Sequence, residues 1–274
     1  MTNKNILILG AGGSLGSNLC RLLTDYGQKV VAVDVSENNL AYLYRIYNLP
    51  MYIEDIRDFD KIRGIIKYED IDVVINCAAL KHVNWCDTNI RKAIDINILS
   101  NLELVNYCSK NDKKFIYISS DKAINPKNIY ALTKQFTDYM VNLYKCKLVR
   151  GVNFINSKGS VIDIWEREYK DNRPFTVVNN DMCRRYFITI SEMSQIVNMV
   201  IHDNTDQIEY TPKKIYDISI VGLFEAYIKM NGIKDFKVDK ITLEDNEKLV
   251  EDIDFEAEII EVNEIDDIIG LLKK

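Results

Sequence analysis

The feature that most narrows the fold is a short apolar run, Asn5-Ile-Leu-Ile-Leu9, that ends in Gly10-Ala-Gly12-Gly13-Ser14-Leu15-Gly16 and is followed by Leu19, Leu22 and Leu23 at helical spacing. The order is strand, glycine turn, helix. Such a turn lets the backbone approach a pyrophosphate, which sits on the free N–H groups and positive dipole end of the helix. Gly10, Gly13, Ser14, Leu15 and Gly16 are therefore candidate cofactor contacts. The next apolar run, Lys29-Val-Val-Ala-Val33, ends in Asp34, placed where a carboxylate accepts hydrogen bonds from the adenosine ribose hydroxyls. An acid there repels a 2′-phosphate, so the expected cofactor is NAD rather than NADP.

The alternation continues through Asp72-Val-Val-Ile-Asn76, a helical pattern over residues 89–108, Lys114-Phe-Ile-Tyr-Ile-Ser119, a helical pattern over 128–145, and Leu148-Val-Arg-Gly-Val152. This predicts an α/β fold with a doubly wound parallel sheet wrapped by helices. Residues 1–150 form the expected nucleotide-binding domain, and 151–274 a smaller substrate-binding portion interleaved with it. Ligands bind at the carboxyl ends of such strands, which singles out Ala78, Ala79, Ser120 and Asn153. Asp55 and Ile56 follow the third strand, where they either meet an adenine ring or cap a helix beginning near Arg57.

Ser119-Ser120-Asp121-Lys122 and Tyr130-Ala-Leu-Thr-Lys134 gather reactive side chains at the end of one strand and the start of one helix. Tyr130 and Lys134, four apart, share a helix face. A phenol titrates near pH 10, so acting as a base near neutrality requires about 4 kcal/mol of phenolate stabilisation. An ammonium at about 4 Å, in an effective dielectric of about 20, supplies roughly that amount. On this reading Lys134 is the cation that tunes Tyr130.

A chain of 274 residues is long enough to bury a substantial core. No apolar stretch approaches a membrane span, and Met1-Thr-Asn-Lys lacks signal-peptide character, so a cytoplasmic location is expected. Six cysteines without metal-type pairing read as reduced, packed thiols, and two histidines, His82 and His202, do not suggest a metal site. A net charge of −6 argues against a nucleic-acid partner. A nucleotide ligand nevertheless needs local positive charge, for which Lys81, Lys122, Lys158 and Arg185 are candidates. Arg184 and Arg185 also read as a solvated surface pair. Residues 241–267 hold twelve carboxylates against one lysine, Lys248. Within them Ile253, Phe255, Ala257 and Ile259 alternate as a strand with one wet face.

Over about residues 5–222 the chain resembles the extended short-chain dehydrogenase/reductase superfamily, and within it the polysaccharide-biosynthesis branch of UDP-N-acetylglucosamine 4,6-dehydratases. The motifs that carry the likeness are Gly-Ala-Gly-Gly-Ser-Leu-Gly at 10–16, Ala-Ala-Leu-Lys-His-Val at 78–83, Ser-Asp-Lys-Ala-Ile-Asn-Pro at 120–126, the Tyr130 and Lys134 pair, and Ser-Lys-Gly-Ser-Val at 157–161. The resemblance implies a Rossmann fold, bound NAD and a UDP-sugar substrate. It implies catalysis by Asp121, Lys122, Tyr130, Lys134 and Ser120, with Asn97 orienting the active-site helix. Lys81, His82, Asn153, Lys158, Gly159, Ser160, Val161 and Arg185 become candidate substrate contacts. A homo-oligomer is also implied, and Tyr130, where some C5-retaining relatives have methionine, points to the C5-inverting type.

The chain departs from its relatives at several places, among them Asp181-Met-Cys-Arg-Arg-Tyr-Phe187, one residue longer than the usual form, in which Arg185 is the better match. Lys158 replaces an arginine, Asn156 replaces a glycine, and Glu244-Asp-Asn-Glu-Lys-Leu249 stands where relatives carry Arg-Pro-Gly-Glu-Lys-Leu. Two other readings follow. An NAD-dependent epimerase or ketosugar reductase would need Ser120, Tyr130 and Lys134 but not Asp121 or Lys122. A non-catalytic nucleotide-binding protein would need none of the five.

Overall fold

Strands of a parallel sheet covered on both faces read as continuous apolar runs. In β1 (Asn5–Leu9) Ile6, Leu7, Ile8 and Leu9 are all fully buried. The computed structural model describes residues 3–243 and 246–273. From β1 the chain runs through α1 (Ser14–Asp25), β2 (Lys29–Asp34), α2 (Glu37–Ile46), β3 (Met51–Ile53), α3 (Phe59–Tyr68) and β4 (Val73–Asn76). There follow α4 (Val83–Thr88), α5 (Ile90–Ile94), a π-helical turn (Asp95–Leu99), α6 (Ser100–Lys110) and β5 (Lys114–Ser120). A 3₁₀ turn (Asp121–Ala123) leads to α7 (Ile129–Leu143), β6 (Lys147–Gly151), β7 (Asn153–Phe154), α8 (Val161–Lys170), β8 (Phe175–Val178) and β9 (Arg184–Ile188). The rest comprises α9 (Ile190–His202), β10 (Glu209–Tyr210), β11 (Lys214–Ser219), α10 (Ile220–Met230), β12 (Val238–Ile241), β13 (Glu258–Glu261) and α11 (Ile265–Leu272). The chain divides into two compact units, Met1–Arg150 with Ser191–Thr211, and Gly151–Ile190 with Pro212–Lys274.

The first unit holds a seven-stranded parallel sheet in the order β10-β6-β5-β4-β1-β2-β3. On one face Leu7, Leu9, Val31, Val33, Val74, Phe115 and Tyr117 share a core with Ile62 and Ile66 of α3, Leu104 and Val105 of α6 and Val141 of α7. The alternate residues Ile6, Ile8, Ala32, Ile75 and Ile116 are fully buried too, so the sheet is covered on both faces.

The edge strand β10 pairs with β6 in parallel, Tyr210 opposite Val149. Two lysines anchor this returning segment. The Lys114 ammonium donates to the carbonyls of Val200, Ile201 and Asp203 at the end of α9, at 3.3, 2.8 and 2.6 Å. That of Lys147 donates to the carbonyls of Thr205 and Gln207, each at 2.6 Å. A cation is favourable at a helix C-terminus, where carbonyls lack partners.

The second unit contains a four-stranded mixed sheet, β13-β11-β9-β7, and the parallel pair β12-β8. Its core is aromatic. Trp165 meets Phe224 edge-on at 5.1 Å between ring centroids, and Phe175 meets Phe224 at 5.4 Å. The buried indole N–H of Trp165 donates to the Thr176 carbonyl at 2.8 Å. The alternation at residues 253–259 does not become a strand. β13 starts only at Glu258, and Ile259 is exposed. What selects that register is pairing with β11, which sets Lys214 opposite Glu258 and Asp217 opposite Glu261.

Trp165 is 1 % exposed, and its truncation removes its ring contacts with Phe224 and Tyr227 and the indole hydrogen bond. Trp165→Ala is expected to destabilise the protein by about 3–5 kcal/mol, read by urea denaturation followed by far-UV circular dichroism. A loss below about 1 kcal/mol, the scale of an ordinary surface change, would contradict this core assignment.

Candidate active site

In the first unit the glycine turn joins β1 to α1 as expected. Gly10 has φ +74°, and a Cβ there would come within 2.7 Å of the Ala78 backbone nitrogen. A Cβ on Gly16 would run into the Gly10 carbonyl. These two glycines are thus required by the protein's own close packing, whatever the turn binds. The α1 N-terminus has Gly13 at its cap, no side-chain cap hydrogen bond and no acid in its first turn, which suits an anion. Leu15 is buried in the core. Asp34 ends β2, where one carboxylate oxygen accepts from the Gly12 N–H and the other from the Ser36 N–H, each at 2.8 Å. A carboxylate has further lone pairs for ribose hydroxyls.

Asp55 is not a helix cap, because Asp58 caps α3 by accepting from the Lys61 N–H. Asp55 instead holds the Arg57 guanidinium, with Nη2 at 2.6 Å, and that cation keeps its carboxyl below the usual range. Ile56 is buried in the core.

The carboxyl end of β5 turns directly into the 3₁₀ segment, which places Ser120, Asp121 and Lys122 side by side. The Ser120 hydroxyl donates to Asp121 Oδ1 at 2.7 Å, the Lys122 N–H donates to it at 2.9 Å, and Lys122 Nζ lies 3.2 Å from it. Asp121 is fully buried, and its Oδ2 has no hydrogen-bond partner. The Asn128 side chain caps α7 by accepting from the Ala131 N–H at 2.9 Å, which starts the helix so that Tyr130 and Lys134 are both buried.

The electrostatics differ from the sequence expectation at this pair. Burial pushes the Tyr130 phenol up to about 12; Lys122 and the Ser120 hydroxyl pull it down, and Asp121 pushes it up. Lys122, not Lys134, is the cation acting on Tyr130. The Lys134 ammonium donates to the Ile118 carbonyl at 2.8 Å and lies 4.6 Å from the Tyr117 ring centroid, and burial lowers it to about 8.

Asn97 lies in the π-helical turn and is 1 % exposed. Its Oδ1 accepts from the Leu80 N–H at 2.9 Å, and its Nδ2 donates to the Leu80 carbonyl at 2.9 Å and to Thr133 Oγ1 at 3.0 Å. One amide therefore ties the loop after β4, which carries Ala78, Ala79, Lys81 and His82, to α7. Lys81 and His82 are exposed on that loop. Asn101, Thr133, Asp138 and Arg150 were not singled out from the sequence. A readable signal did exist for Arg150, since a charge inside a buried strand demands a buried partner.

The second unit holds the remaining candidates. Asn153 donates to the Tyr186 carbonyl at 2.9 Å. Lys158 is exposed. The small residues beside it do not leave their backbone open, because the Gly159 N–H donates to Asp163 Oδ2 at 2.6 Å and the Ser160 N–H to the Ser157 carbonyl at 3.0 Å. Ser160 caps α8, and Val161 opens it. Asn156, where relatives have glycine, has φ +58°. That left-handed conformation is what the glycine provides, and asparagine tolerates it better than other side chains.

Arg184 and Arg185 are not a solvated pair. Arg184 binds the Asp217 carboxylate at 2.9 Å. Arg185 donates to the Leu249 carbonyl at 2.9 Å and lies 3.8 Å from Glu251. Of the altered segment 244–249, Glu244 and Asp245 fall outside the described residues. Lys248 is buried and pairs with Asp252 at 3.0 Å.

The glycine turn, the parallel sheet and the cluster on β5 and α7 define an extended short-chain dehydrogenase/reductase. A family model described as "Polysaccharide biosynthesis protein" matches residues 6–272, and the chain belongs to that family. It is 31% identical over 285 residues to a protein named an uncharacterized membrane protein of Methanocaldococcus jannaschii, covering 97% of this chain and 84% of that one. It is 29% identical over 204 residues to a UDP-N-acetylglucosamine 4,6-dehydratase (inverting) of Campylobacter jejuni, covering 69% of this chain and 60% of the relative. Of two further bacterial relatives the chain spans 35% and 45%. The crystal structure of a dTDP-glucose 4,6-dehydratase from Streptomyces venezuelae with NAD bound shares the fold, with a TM-score of 0.82 at 16% identity over 91% of this chain and 88% of that one. No helix among the described residues is long and apolar enough to cross a membrane.

Replacing Asn97 by Ala leaves the Leu80 backbone groups and the Thr133 hydroxyl without their amide. An unsatisfied buried group costs about 1–3 kcal/mol, so Asn97→Ala is expected to lose at least about 2 kcal/mol in urea denaturation. Wild-type stability would show that the amide bridge does not join the loop to the helix.

Proposed function

We propose that the protein is an NAD-dependent UDP-N-acetylglucosamine 4,6-dehydratase of the C5-inverting type, a lyase making a UDP-4-keto-6-deoxy-N-acetylhexosamine for surface-glycan biosynthesis. The observation that carries the reading is the buried Asp121 carboxylate, held by Ser120 and Lys122 beside Tyr130. An epimerase or ketosugar reductase has no step that uses this pair. Burying a carboxylate without full pairing costs several kcal/mol.

The uncapped α1 N-terminus, Gly13, Ser14 and Asp34 fit the pyrophosphate and ribose of NAD, with Ala78, Ala79 and Asn97 positioning the loop beside it. The Asp34 carboxylate, already accepting two backbone N–H groups, favours ribose hydroxyls over a 2′-phosphate. Bound there, NAD would supply the hydride acceptor for C4 and the hydride donor for C6 of the sugar, and its cationic ring would favour the Tyr130 phenolate.

The chain's own residues move the protons. Tyr130 removes the C4 hydroxyl proton, and the resulting ketone acidifies the C5 hydrogen. With the proton of the Lys122–Asp121 pair resting on Asp121, neutral Lys122 takes that C5 proton while Asp121, through the oxygen without a protein partner, gives its proton to the departing C6 hydroxyl, which leaves as water. Return of the C5 proton completes the cycle. Asn153, Lys158 and Arg185 are assigned to the UDP-sugar. Arg185 must exchange its Glu251 contact for a phosphate, since a guanidinium cannot serve both bidentately. The exposed positions of α7, Leu132, Gln135, Phe136, Tyr139, Asn142 and Leu143, carry no charge, which supports a homo-oligomer.

Lys122→Ala is expected to bind NAD within about twofold of wild type by calorimetry, yet to lose at least about 100-fold in dehydration rate, the scale of a lost general base. Dehydration at the wild-type rate would remove Lys122 from the mechanism.

A further inference from the structure

Tyr130, Lys134 and Asp138 recur every fourth residue on the buried face of α7. The first two are candidate catalytic residues, whereas Asp138 has no part in the function proposed above. Asp138 is 7 % and Arg150 6 % exposed, deep enough that neither charge persists alone. Arg150 Nη1 donates to Asp138 Oδ2 at 2.8 Å and to the Ser120 carbonyl at 3.2 Å, and its Nε donates to Glu209. One guanidinium thus joins α7 to the last residue of β5, immediately before Asp121 and Lys122. Asp138 Oδ1, Ser119 Oγ and Tyr117 OH are buried without a hydrogen-bond partner.

The groups acting on Lys134 come from three directions besides its own helix. β5 supplies the Ile118 carbonyl and the Tyr117 ring, Cys77 follows β4, and Cys86 lies on α4. Burial drives both thiols upward, Cys86 to about 11, so they are neutral at physiological pH. That leaves Asp138 as the anion among these groups. Asp138 in turn faces Arg150, Ser119, Tyr117 and Lys134. Burial pushes its carboxyl up to about 6, with Arg150 the strongest opposing influence, so it is charged at neutral pH.

We propose that Asp138 is a positioning residue whose charge, clamped by Arg150, keeps Lys134 an ammonium and fixes the carboxyl end of β5 at Ser120. The role of Lys134 in catalysis rests on the dehydratase reading; the charge relation between Lys134 and Asp138 does not. Removal of the anion takes away the charge that opposes burial at Lys134, and the amine then loses its charge near pH 8. Arg150 would lose its contact with Asp138, loosening its hold on the Ser120 carbonyl.

The test is an NMR titration of the full-length protein labelled at the lysine side chains, with the Lys134 resonance assigned from Lys134→Met. In Asp138→Asn the Lys134 midpoint is expected to fall by about one pH unit or more, a tenfold shift in its protonation equilibrium. Asp138→Glu should restore it. If the Asn variant fails to fold, Asp138→Ser, which leaves room for water beside Arg150, gives the same reading. A midpoint unchanged from wild type in a folded variant would overturn the proposal, because a merely structural role moves stability and not the Lys134 titration. Dehydration of UDP-N-acetylglucosamine is followed in parallel, with kcat expected to fall about fivefold near pH 8 and KM to change less than twofold. Absence of dehydration in the wild type itself would count against the dehydratase reading alone, since the titration still decides the role of Asp138.

Discussion

Charge buried at the carboxyl end of β5 is the constraint on which the first unit depends. Asp121, Lys134, Asp138 and Arg150 all lie out of water, where an ion without a partner costs several kcal/mol. Each must therefore be met by a particular neighbour: Ser120 and Lys122 for Asp121, the Ile118 carbonyl for Lys134, and Arg150 for Asp138. These partners come from the last strand residues, the turn after them and the buried face of α7. Satisfying the charges thus sets strand end and helix start in one geometry. Asn97 adds a neutral constraint of the same kind, joining the loop after β4 to α7 through Leu80 and Thr133.

The second unit is organised differently. An aromatic core of Trp165, Phe175, Phe224 and Tyr227 supplies its burial, and its arginines are bound to neighbouring backbone and carboxylates. Arg185 holds the Leu249 carbonyl and Arg184 holds Asp217, so that segment 246–252 and strand β11 are tied to β9. Much of the acidity of residues 241–267 lies on exposed positions, while Glu251 and Lys248 are drawn inside by Arg185 and Asp252.

The sheet was legible in the sequence because its strands are covered on both faces, so that Ile6 to Leu9 and Val30 to Val33 read as unbroken apolar runs. The positions of Ser120, Asp121 and Tyr130 were legible for the same reason: strand end and helix start are marked by a change of period and by Asn128 at the cap. The alternation at Ile253 to Ile259 misled because β pairing, not local pattern, places β13. The π-helical turn at Asp95–Leu99 was hidden inside the helical pattern over residues 89–108, since so short a change of backbone hydrogen bonding is marked by no residue type. The partner of Lys134 was hidden as well, because a backbone carbonyl such as that of Ile118 leaves no trace in side-chain identity.

The central claim is that Asp121 and Lys122 serve to expel water from a nucleotide sugar. Its most direct test is incubation of UDP-N-acetylglucosamine with the protein and catalytic NAD in deuterated water, followed by mass spectrometry and NMR of the product. The account predicts a sugar nucleotide lighter by one water, carrying solvent deuterium at C5, with no accumulation of NADH. A product of unchanged elemental composition, epimerised and free of deuterium at C5, would contradict it.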